Sequence, residues 1–547
     1  MEALVRRTGN EAVVAQLAAE GIRYVFGNPG TVEQGFLDAL EDNHDVEYVL
    51  AWQESVAVAM ADGHARATGR PAFVQLHSGV GLGNAIGMLY QARRGNSPLV
   101  VMAGDAGVRY DAHEAQMAVD LVAMARPVTK HSIRVTDPRS VLRVLRRAFK
   151  IAATAPMGPV FVNLPADVLD QANDEPIFPS VVPQTRVVPV PELVAEAAEL
   201  LSPGHAPLIL IGDGVDAAGA QSALLQVAEQ LGADVLGVNH SQANFPAAHP
   251  LFRGQTGHMF GTHSEKLVSA ADAVLIVGTY VFPEVFPSLD DPFAPGAAIV
   301  HIDLDIDNIG KNHRVDLGLV ADPAATLQAL SAELTRTQTQ AHGLAAAHRT
   351  GQRRSTAAAP PLPATVAELF FAELQSQAPQ DLALFDEALT GSPTVTSFLP
   401  PRGPGHWFQT RGGSLGVGIP GALGIKLARP ESEVIAVTGD GGSMYTIQAL
   451  ATAARYQIAA KAIIWNNHRY RLLDDNLAVF RSETGSKRAV APTGFDLHQP
   501  GVDFVLLARS LGVPGVRVAA AADVADAVTA MLSATGPYLV ELIVDLS

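Results

Sequence analysis

Two apolar runs in the last third of the chain end in side chains that offer oxygen ligands. Gly439-Asp440-Gly441 follows the run 434–437, and Asn466-Asn467 follows the run 461–465, with twenty-four residues between Gly441 and Asn466. The runs are typical of buried parallel strands, and a helix is predicted between them over 445–456. Because such strands end at the same edge of a sheet, we expect the side chains of Asp440 and Asn467 to lie close together. Their carboxylate and amide oxygens would form half of a Mg²⁺ site that a diphosphate completes.

A second Gly-Asp-Gly, at Gly212-Asp213-Gly214, lacks the rest of this pattern. It also follows an apolar run, 207–211, but Asn239-His240 stands where the paired asparagines would be needed. Glycine and aspartate are common in turns for conformational reasons alone. We therefore predict a strand-to-helix turn here and a metal site only at Asp440.

The composition indicates a large globular enzyme. The 547 residues allow three or four domains, and 48% hydrophobic with 17% charged residues is typical of a globular protein. A formal charge of −17 argues against a nucleic-acid partner. The absence of cysteine excludes disulfides, thiolate metal sites and a cysteine nucleophile. The sequence contains no signal-like or membrane-spanning apolar stretch, so we expect no membrane association and a cytoplasmic location.

Strand-like and helical patterns alternate along the whole chain, which predicts an α/β fold of three doubly wound parallel-sheet domains. We place these domains at 1–175, 192–335 and 364–547, with linkers at 176–191 and 336–363. The second linker is rich in Ala, Pro and basic residues (His342, His348, Arg349, Arg353, Arg354) and is predicted to be a solvated connector. The other predicted strands lie near 24–26, 49–52, 72–76, 100–103, 160–164, 208–211, 273–277 and 299–303.

The complete Gly-Asp-Gly and Asn-Asn signature resembles the binding motif of thiamine diphosphate (ThDP)-dependent enzymes. This resemblance implies that Asp440, the side chain of Asn467 and the backbone carbonyl of Arg469 ligate Mg²⁺. His468 and Arg469 stand where this family often has small residues, but a backbone ligand tolerates any side chain.

ThDP also requires a carboxylic acid near N1′ of its aminopyrimidine, which promotes loss of the thiazolium C2 proton. Glu54 suits this role because it follows the apolar run 49–52 and opens a predicted helix over 55–67. An acid in the first helical turn is also favoured by the helix dipole. The assignment therefore depends on the combination of Glu54 with the metal motif.

Further segments resemble the ThDP-dependent 2-keto acid decarboxylases and carboligases. Benzoylformate decarboxylase is nearer in pattern and acetolactate synthase is more distant. The segments that carry this resemblance are Asn28-Pro29-Gly30-Thr31, Gln53-Glu54, 77–84, 126–130, 158–165, 412–416 and 441–445. The resemblance implies pyrimidine-binding, Rossmann-like middle and diphosphate-binding domains. It also places the cofactor between two chains, so that a homodimer is the minimum and a homotetramer is expected.

The resemblance assigns roles residue by residue. His77 would be an acid/base in the pocket, and Thr31 would lie near the substrate carboxylate. Leu415 would hold the cofactor in its bent shape. The expected diphosphate contacts are Gly441, Gly442, Ser443, Tyr445 and Thr390.

Some positions depart from the benzoylformate decarboxylase pattern and leave the substrate open. The middle domain has no histidine after Val281-Phe282, and Glu284 lies nearby, where its charge would repel a 2-keto acid. The segment 471–480 is more polar than an aryl pocket suggests. The remaining histidines that we considered are expected to be structural or exposed, with His406 as the reserve candidate: His113, His258, His263 and His406.

We therefore expect a non-oxidative lyase that decarboxylates a 2-keto acid through an enamine, giving an aldehyde or a 2-hydroxy ketone. One alternative is an acetolactate-synthase-like or 2-hydroxyacyl-CoA-lyase-like carboligase, in which 212–215 could belong to a nucleotide site. Another is a catalytically silent relative with a binding or regulatory role. A Rossmann dehydrogenase is disfavoured because its glycine fingerprint with a downstream acid is absent.

Overall fold

The computed structural model describes residues 7–238, 241–257, 259–337, 362–488 and 490–544. Three six-stranded sheets with flanking helices dominate it, and the strand pairings within each of its compact units are parallel. This confirms the predicted α/β fold. The chain divides into two compact units, one of residues 1–183, 363–394 and 410–547 and the other of residues 184–362 and 395–409.

The first sheet belongs to the first unit and has the strand order β2-β1-β3-β4-β6-β5. Two of its central strands are buried on both faces and, apart from Gln75, apolar, as a parallel sheet covered by helices requires. Its strands are β1 Tyr24–Gly27, β2 Glu47–Leu50, β3 Ala72–Leu76, β4 Leu99–Ala103, β5 His131–Arg134 and β6 Val160–Asn163. The helices are α1 Gly9–Ala19, α2 Gln34–Glu41, α3 Glu54–Thr68, α4 Ser78–Arg94, α5 Leu121–Ala125, α6 Val141–Ala153 and α7 Ala166–Leu169.

The sheet of the second unit has the order β12-β11-β10-β7-β8-β9. Its strands are β7 Pro207–Ile211, β8 Asp234–Gly237, β9 Phe252–Gln255, β10 Ala273–Val277, β11 Ala298–Asp303 and β12 Leu317–Val320. The helices around it are α8 Pro191–Leu201, α9 Gly214–Ala217, α10 Gln221–Leu231, α11 Gly261–Val268 and α12 Pro323–Thr337. Residues 173–190, before α8, contain no helix or strand.

The third sheet has the order β14-β13-β15-β16-β18-β17 and carries the metal motif. Its strands are β13 Ala383–Glu387, β14 Trp407–Gln409, β15 Val434–Gly439, β16 Lys461–Asn466, β17 Gly515–Val518 and β18 Tyr538–Ile543. The helices of this part are α13 Val366–Gln377, α14 Ser392–Phe398, α15 Gly418–Ala428, α16 Asp440–Ser443, α17 Ala449–Tyr456, α18 Arg471–Thr484, α19 Phe504–Ser510 and α20 Val524–Ser533.

Helices α3 and α15 pack closely within the first unit. A Cβ atom added at Gly63 would lie 2.1 Å from the carbonyl oxygen of Gly421, and one at Gly424 would lie 1.9 Å from that of Met60. Only glycine permits so close a backbone approach. The packing fixes one helix that begins at a predicted cofactor residue, Glu54, and another that begins three residues after a second one, Leu415.

The strands predicted from apolar runs are present, with ends shifted by up to two residues. The predicted start of the helix over 445–456 is wrong. The chain turns into the short helix α16 at Asp440, and the longer helix α17 covers only Ala449–Tyr456. The exact domain bounds stay a prediction, and residues 338–361 of the second linker, with the basic residues named above, lie outside the described residues. Within the described parts of the chain, no helix combines the length and apolar character needed to cross a bilayer.

Candidate cofactor and active site

The carboxyl group of Glu54 is buried at the first residue of α3. Gln53 caps this helix, and its side-chain oxygen accepts hydrogen bonds from the backbone amides of Ser55 and Val56. Glu54 is only 6% exposed and accepts from Asn28 Nδ2 at 3.3 Å and from Asn84 Nδ2 at 3.0 Å. Both donors are neutral amides, so these contacts fix the position of the carboxyl group without pairing its charge. Such a group can exchange a proton with a bound molecule.

His77 caps α4 and is held by a buried acid, Glu33. The Nδ1 atom of His77 lies 3.0 Å from Glu33 Oε2, and Glu33 Oε1 accepts from the backbone amide of Gly104 at 3.0 Å. Burial raises the pKa of Glu33, while its hydrogen bond with His77 and the charge of that histidine oppose the rise. An ionised Glu33 makes Nδ1 the donor, which leaves Nε2 as the ring nitrogen that can exchange a proton.

Sequence reasoning missed Glu33. The residue follows the loop Asn28-Pro29-Gly30-Thr31 by two positions, and a Cβ added at Gly30 would lie 1.9 Å from His77 Nδ1. The loop therefore packs directly against the imidazole. Thr31 lies in this loop and is exposed. The position of Glu33, two residues after the candidate Thr31, was the signal in the sequence that could have identified it.

Tyr48 of β2 and Gln75 of β3 meet over Gly27 of β1, where an added Cβ would lie 2.6 Å from the Tyr48 hydroxyl and 2.7 Å from Gln75 Oε1. The hydroxyl of Tyr48 donates to Gln75 Oε1 at 2.6 Å. Burial raises the pKa of Tyr48, and the negative charges of Glu33 and Glu54 raise it further. A Cβ added at Gly81 would lie 3.1 Å from Glu54 Oε1 and 3.3 Å from Cβ of His77, so Glu54 and the Glu33–His77 pair lie at the same edge of the sheet.

Asp440 and Asn467 lie at the ends of paired strands, as predicted. Strand β15 pairs with β16 in parallel, with Gly439 opposite Trp465, so the two residues follow neighbouring strand ends. Asp440 is 6% exposed, and its Oδ1 accepts from the backbone amide of Gly441 at 2.8 Å. Burial raises the pKa of Asp440, and nearby backbone amides lower it.

The free oxygen of Asp440 fits a divalent cation. Its Oδ2 is buried and has no hydrogen-bond partner among the residues that the structure describes. A buried polar atom left unpaired is costly, and a hard cation would satisfy a carboxylate oxygen. The described part of the chain contains no group of three or more His, Cys, Asp or Glu side chains suited to a metal.

The segment after Asn467 has a fixed backbone. Asn467 Oδ1 accepts from the amide of Arg469 at 3.0 Å, and the carbonyl of Arg469 accepts from the amide of Arg471 at 2.9 Å. The amide of Tyr470 donates to the carbonyl of Phe495, also at 2.9 Å. A carbonyl oxygen has two lone pairs, so the carbonyl of Arg469 can still ligate a cation. The side chain of Arg469 forms an ion pair with Asp474.

The predicted diphosphate residues surround the beginning of α16. Gly441, Gly442 and Ser443 are buried, and the hydroxyl of Ser443 donates to the carbonyl of Asp440 at 2.8 Å. A Cβ added at Gly441 would lie 2.3 Å from the ring of Tyr470, so a side chain at this position would collide with that ring. Tyr445 is largely exposed.

Leu415 and Thr390 are both half-buried. A Cβ added at Gly442 would lie 3.9 Å from that of Leu415, so Leu415 neighbours the diphosphate segment. Thr390 lies in a 3₁₀ turn, Leu389–Gly391, anchored by the buried Asp386, whose Oδ1 accepts from the amide of Ala388 and the hydroxyl of Ser392.

The second unit contains the other motifs that were considered. The carboxylate of Asp213 accepts from the amide and hydroxyl of Ser241, from the amide of Gln242 and from the side chain of Asn244. Helix α9 begins at Gly214, which confirms the predicted strand-to-helix turn. Glu284 is buried against the hydroxyl of Ser264. Of the remaining histidines, His113 and His263 are exposed and His406 is half-buried, whereas His258 lies outside the described residues.

These sheets and this pair of sites define a ThDP-dependent enzyme. Three family models match the chain, described as the N-terminal, central and C-terminal domains of thiamine pyrophosphate enzymes, at residues 7–124, 194–330 and 390–542. The protein therefore belongs to the thiamine pyrophosphate enzyme family.

Individual relatives indicate which reactions within this enzyme family the chain resembles. The chain is 33% identical over 547 residues to benzoylformate decarboxylase of Pseudomonas aeruginosa, with 98% of both chains covered. It is 30% identical to the large subunit of acetolactate synthase isozyme 3 of Escherichia coli, covering 93% of this chain and 90% of that one. Its fold matches the ThDP-dependent 4-hydroxybenzoylformate decarboxylase of Rhodococcus jostii RHA1 with a TM-score of 0.86, 29% identity and 99% coverage of each chain. These findings confirm a ThDP-dependent enzyme of the decarboxylase and carboligase class.

Proposed function

We propose that this protein decarboxylates a 2-keto acid without oxidation, using ThDP and Mg²⁺. The product is an aldehyde, or a 2-hydroxy ketone where a second carbonyl compound is the acceptor. The observation that carries the proposal is the placement of Glu54 and the Glu33–His77 pair at one sheet edge, two proton-exchanging groups with separate hydrogen-bond partners. The relatives named for benzoylformate and 4-hydroxybenzoylformate decarboxylation support the same reaction class.

In this proposal, some residues hold the cofactor and its metal, and others exchange protons with the cofactor or the substrate. When bound, ThDP supplies the nucleophilic carbon and the electron sink that allow a carboxylate to leave from a carbonyl carbon. Asp440, Asn467 and the carbonyl of Arg469 would hold Mg²⁺, and Leu415 would support the bound cofactor. Glu54 would hold and release the proton at N1′ of the aminopyrimidine, and His77 would exchange a proton with the reacting substrate.

We also propose a homodimer or homotetramer in the cytoplasm. Family members bind the cofactor between the first domain of one chain and the third of another. A dimer therefore is the smallest assembly that completes a site. Analytical ultracentrifugation of the purified protein measures this directly, and a catalytically active monomer would contradict it.

A substrate panel tests the function. The enzyme is incubated with ThDP, Mg²⁺ and single 2-keto acids, both aromatic (benzoylformate, 4-hydroxybenzoylformate) and aliphatic (pyruvate, 2-ketoisovalerate). Release of CO₂ and the identity of the product are followed. We expect CO₂ with an aldehyde from at least one acid, and a 2-hydroxy ketone when an aldehyde is added as acceptor. If ThDP binds but no acid releases CO₂, the decarboxylase proposal is wrong and a silent relative is favoured.

The second candidate is an acetolactate-synthase-like carboligase, which the E. coli relative favours. It predicts that pyruvate alone gives acetolactate in preference to acetaldehyde. The same panel separates the two, because the ratio of hydroxy acid to aldehyde from pyruvate is measured in one reaction.

Replacing His77 with alanine should lower kcat by about a hundredfold or more, because one general acid–base group contributes about 10²–10⁴-fold. His77 lies against Glu33, so Glu33→Gln should produce a smaller loss by removing the acceptor that orients the ring. The affinity for ThDP, measured by titration calorimetry, should stay within threefold in both variants. His113→Ala, at an exposed histidine, is the matched control. An unchanged rate in His77→Ala would make this histidine structural.

A further inference from the structure

Strand β13 ends in two consecutive buried acids, Asp386 and Glu387. Asp386 is fully buried, and Glu387 is 2% exposed. Asp386 anchors the Thr390 turn, as described above. Glu387 has a different set of partners, and no role in the proposed chemistry has been assigned to it.

The carboxylate of Glu387 receives hydrogen bonds from three successive backbone amides. Its Oε1 accepts from Gly416 at 2.5 Å and from Val417 at 3.2 Å, and its Oε2 accepts from Gly418 at 2.8 Å. The hydroxyl of Thr438 also donates to Oε2, at 3.1 Å. Glu387 therefore gathers the turn that immediately follows Leu415, together with the first residue of α15.

This hydrogen-bond set suits the ionised acid. All four partners donate, and a carboxylate accepts with both oxygens, whereas a protonated acid would direct its own donor at one of them. Burial raises the pKa of Glu387 to about 7, while the three amides and Thr438 oppose the rise. A glutamine at this position would have nearly the same shape but would point an NH₂ group at amide donors.

The turn is also held from its opposite side. Gly416 has a φ of +84°, and a Cβ there would lie 2.7 Å from Cβ of Tyr445. The hydroxyl of Thr446 donates to the carbonyl of Gly416 at 2.6 Å. The turn is thus enclosed between Glu387 and the segment that follows the diphosphate residues.

Glu387 joins two parts of the predicted cofactor site. In the pairing of β13 with β15, Glu387 stands opposite Thr438, two residues before Asp440. One carboxylate therefore connects the strand that leads to the metal ligand Asp440 with the turn that follows Leu415.

We propose that Glu387 is a positioning residue for the cofactor, which fixes the turn after Leu415 relative to the strand that leads to Asp440. It contacts only protein groups and acts through Leu415. The proposal rests on the proposed function for the assignment of Leu415 and Asp440 to the ThDP site.

The test compares Glu387→Gln with the wild type and with the control Glu433→Gln. Glu433 is a partly buried acid at the other end of β15, where Lys461 and Lys426 are its charged neighbours. Titration calorimetry with ThDP in excess Mg²⁺ should show a dissociation constant raised at least tenfold in Glu387→Gln and within twofold of wild type in Glu433→Gln. Hydrogen exchange of the cofactor-free protein should accelerate at residues 416–418 in Glu387→Gln alone.

Kinetics separate positioning from loss of folded protein. At saturating ThDP, the KM for the 2-keto acid should stay within twofold in Glu387→Gln while the KM for ThDP rises. A variant that merely loses folded molecules would show a lower kcat with both KM values and the ThDP affinity unchanged, and this result would overturn the proposal. A wild-type protein that does not bind ThDP would instead overturn the proposed function.

Thr438 provides a second variant should Glu387→Gln fail to fold. Thr438→Val removes one donor to Glu387 and keeps the side-chain shape, whereas Thr438→Ser keeps the hydroxyl. We expect the dissociation constant for ThDP to rise about threefold in Thr438→Val and to return to the wild-type value in Thr438→Ser. Equal affinities in all three proteins would contradict the role of Glu387.

Discussion

Glu54→Gln should reduce kcat by about a thousandfold or more, within the upper range for a general acid–base group. Glutamine retains the size of Glu54 and a side-chain oxygen that can accept from Asn84 or Asn28. It cannot take up and release a proton at the N1′ position of the aminopyrimidine. The folded structure should survive because the surrounding contacts are neutral hydrogen bonds. The measurement is kcat at saturating ThDP and Mg²⁺, together with the melting temperature.

Two comparisons make this result specific. Glu47→Gln changes an exposed acid on β2, a strand of the same sheet, and should leave the rate within twofold. Exchange of the thiazolium C2 proton with solvent, followed by NMR on ThDP recovered from the enzyme, should slow in Glu54→Gln and remain fast in Glu47→Gln. If Glu54→Gln kept most of its activity and its exchange rate, the assignment of the N1′ acid would be wrong.

The sequence predicted those residues whose position follows from a strand end. Asp440, Asn467 and Glu54 each come within three residues of the end of an apolar run, and parallel strands bring such ends to one edge. The alternation of strand-like and helical patterns along the chain predicted the three sheets. A Gly-Asp-Gly turn alone was less informative. The carboxylate of Asp213, in the other such turn, accepts hydrogen bonds from Ser241 and Asn244 of a neighbouring loop.

The residues that were missed depend on contacts between distant parts of the chain. Glu33 meets His77 across forty-four positions, and Glu387 meets Thr438 across fifty-one. Neither acid has a local pattern that distinguishes it from an exposed one, and only burial reveals that its partners are fixed. Edge strands such as β5 were missed for a related reason, since its four residues are half-buried and lack a continuous apolar run.

Asp440→Ala should abolish detectable turnover and weaken ThDP binding in the presence of Mg²⁺ by at least a hundredfold. The substitution removes the only carboxylate of the proposed metal site. Without the cation, the negative charge of the diphosphate would not be neutralised. Asp440→Asn, which keeps a neutral oxygen, should give an intermediate loss. The measurement is calorimetric titration of ThDP at fixed Mg²⁺ concentrations, with turnover assayed in parallel. Asp213→Asn is the matched control, because it alters the other Gly-Asp-Gly and should leave the Mg²⁺ dependence unchanged.

Without a bound metal, replacing Asp440 should not lower the folding stability of the protein. Burial raises the pKa of Asp440 in the folded state, so ionisation of this group opposes folding once the pH exceeds the pKa of the unfolded chain. Its unpaired Oδ2 adds a desolvation cost of about 1–3 kcal/mol. At pH 7, in the presence of a chelator, Asp440→Asn should therefore be at least as stable to urea as the wild type, and the difference should shrink as the pH falls toward 4. A stability loss in metal-free Asp440→Asn, together with unchanged ThDP affinity, would show that Asp440 supports the fold and does not hold a cation.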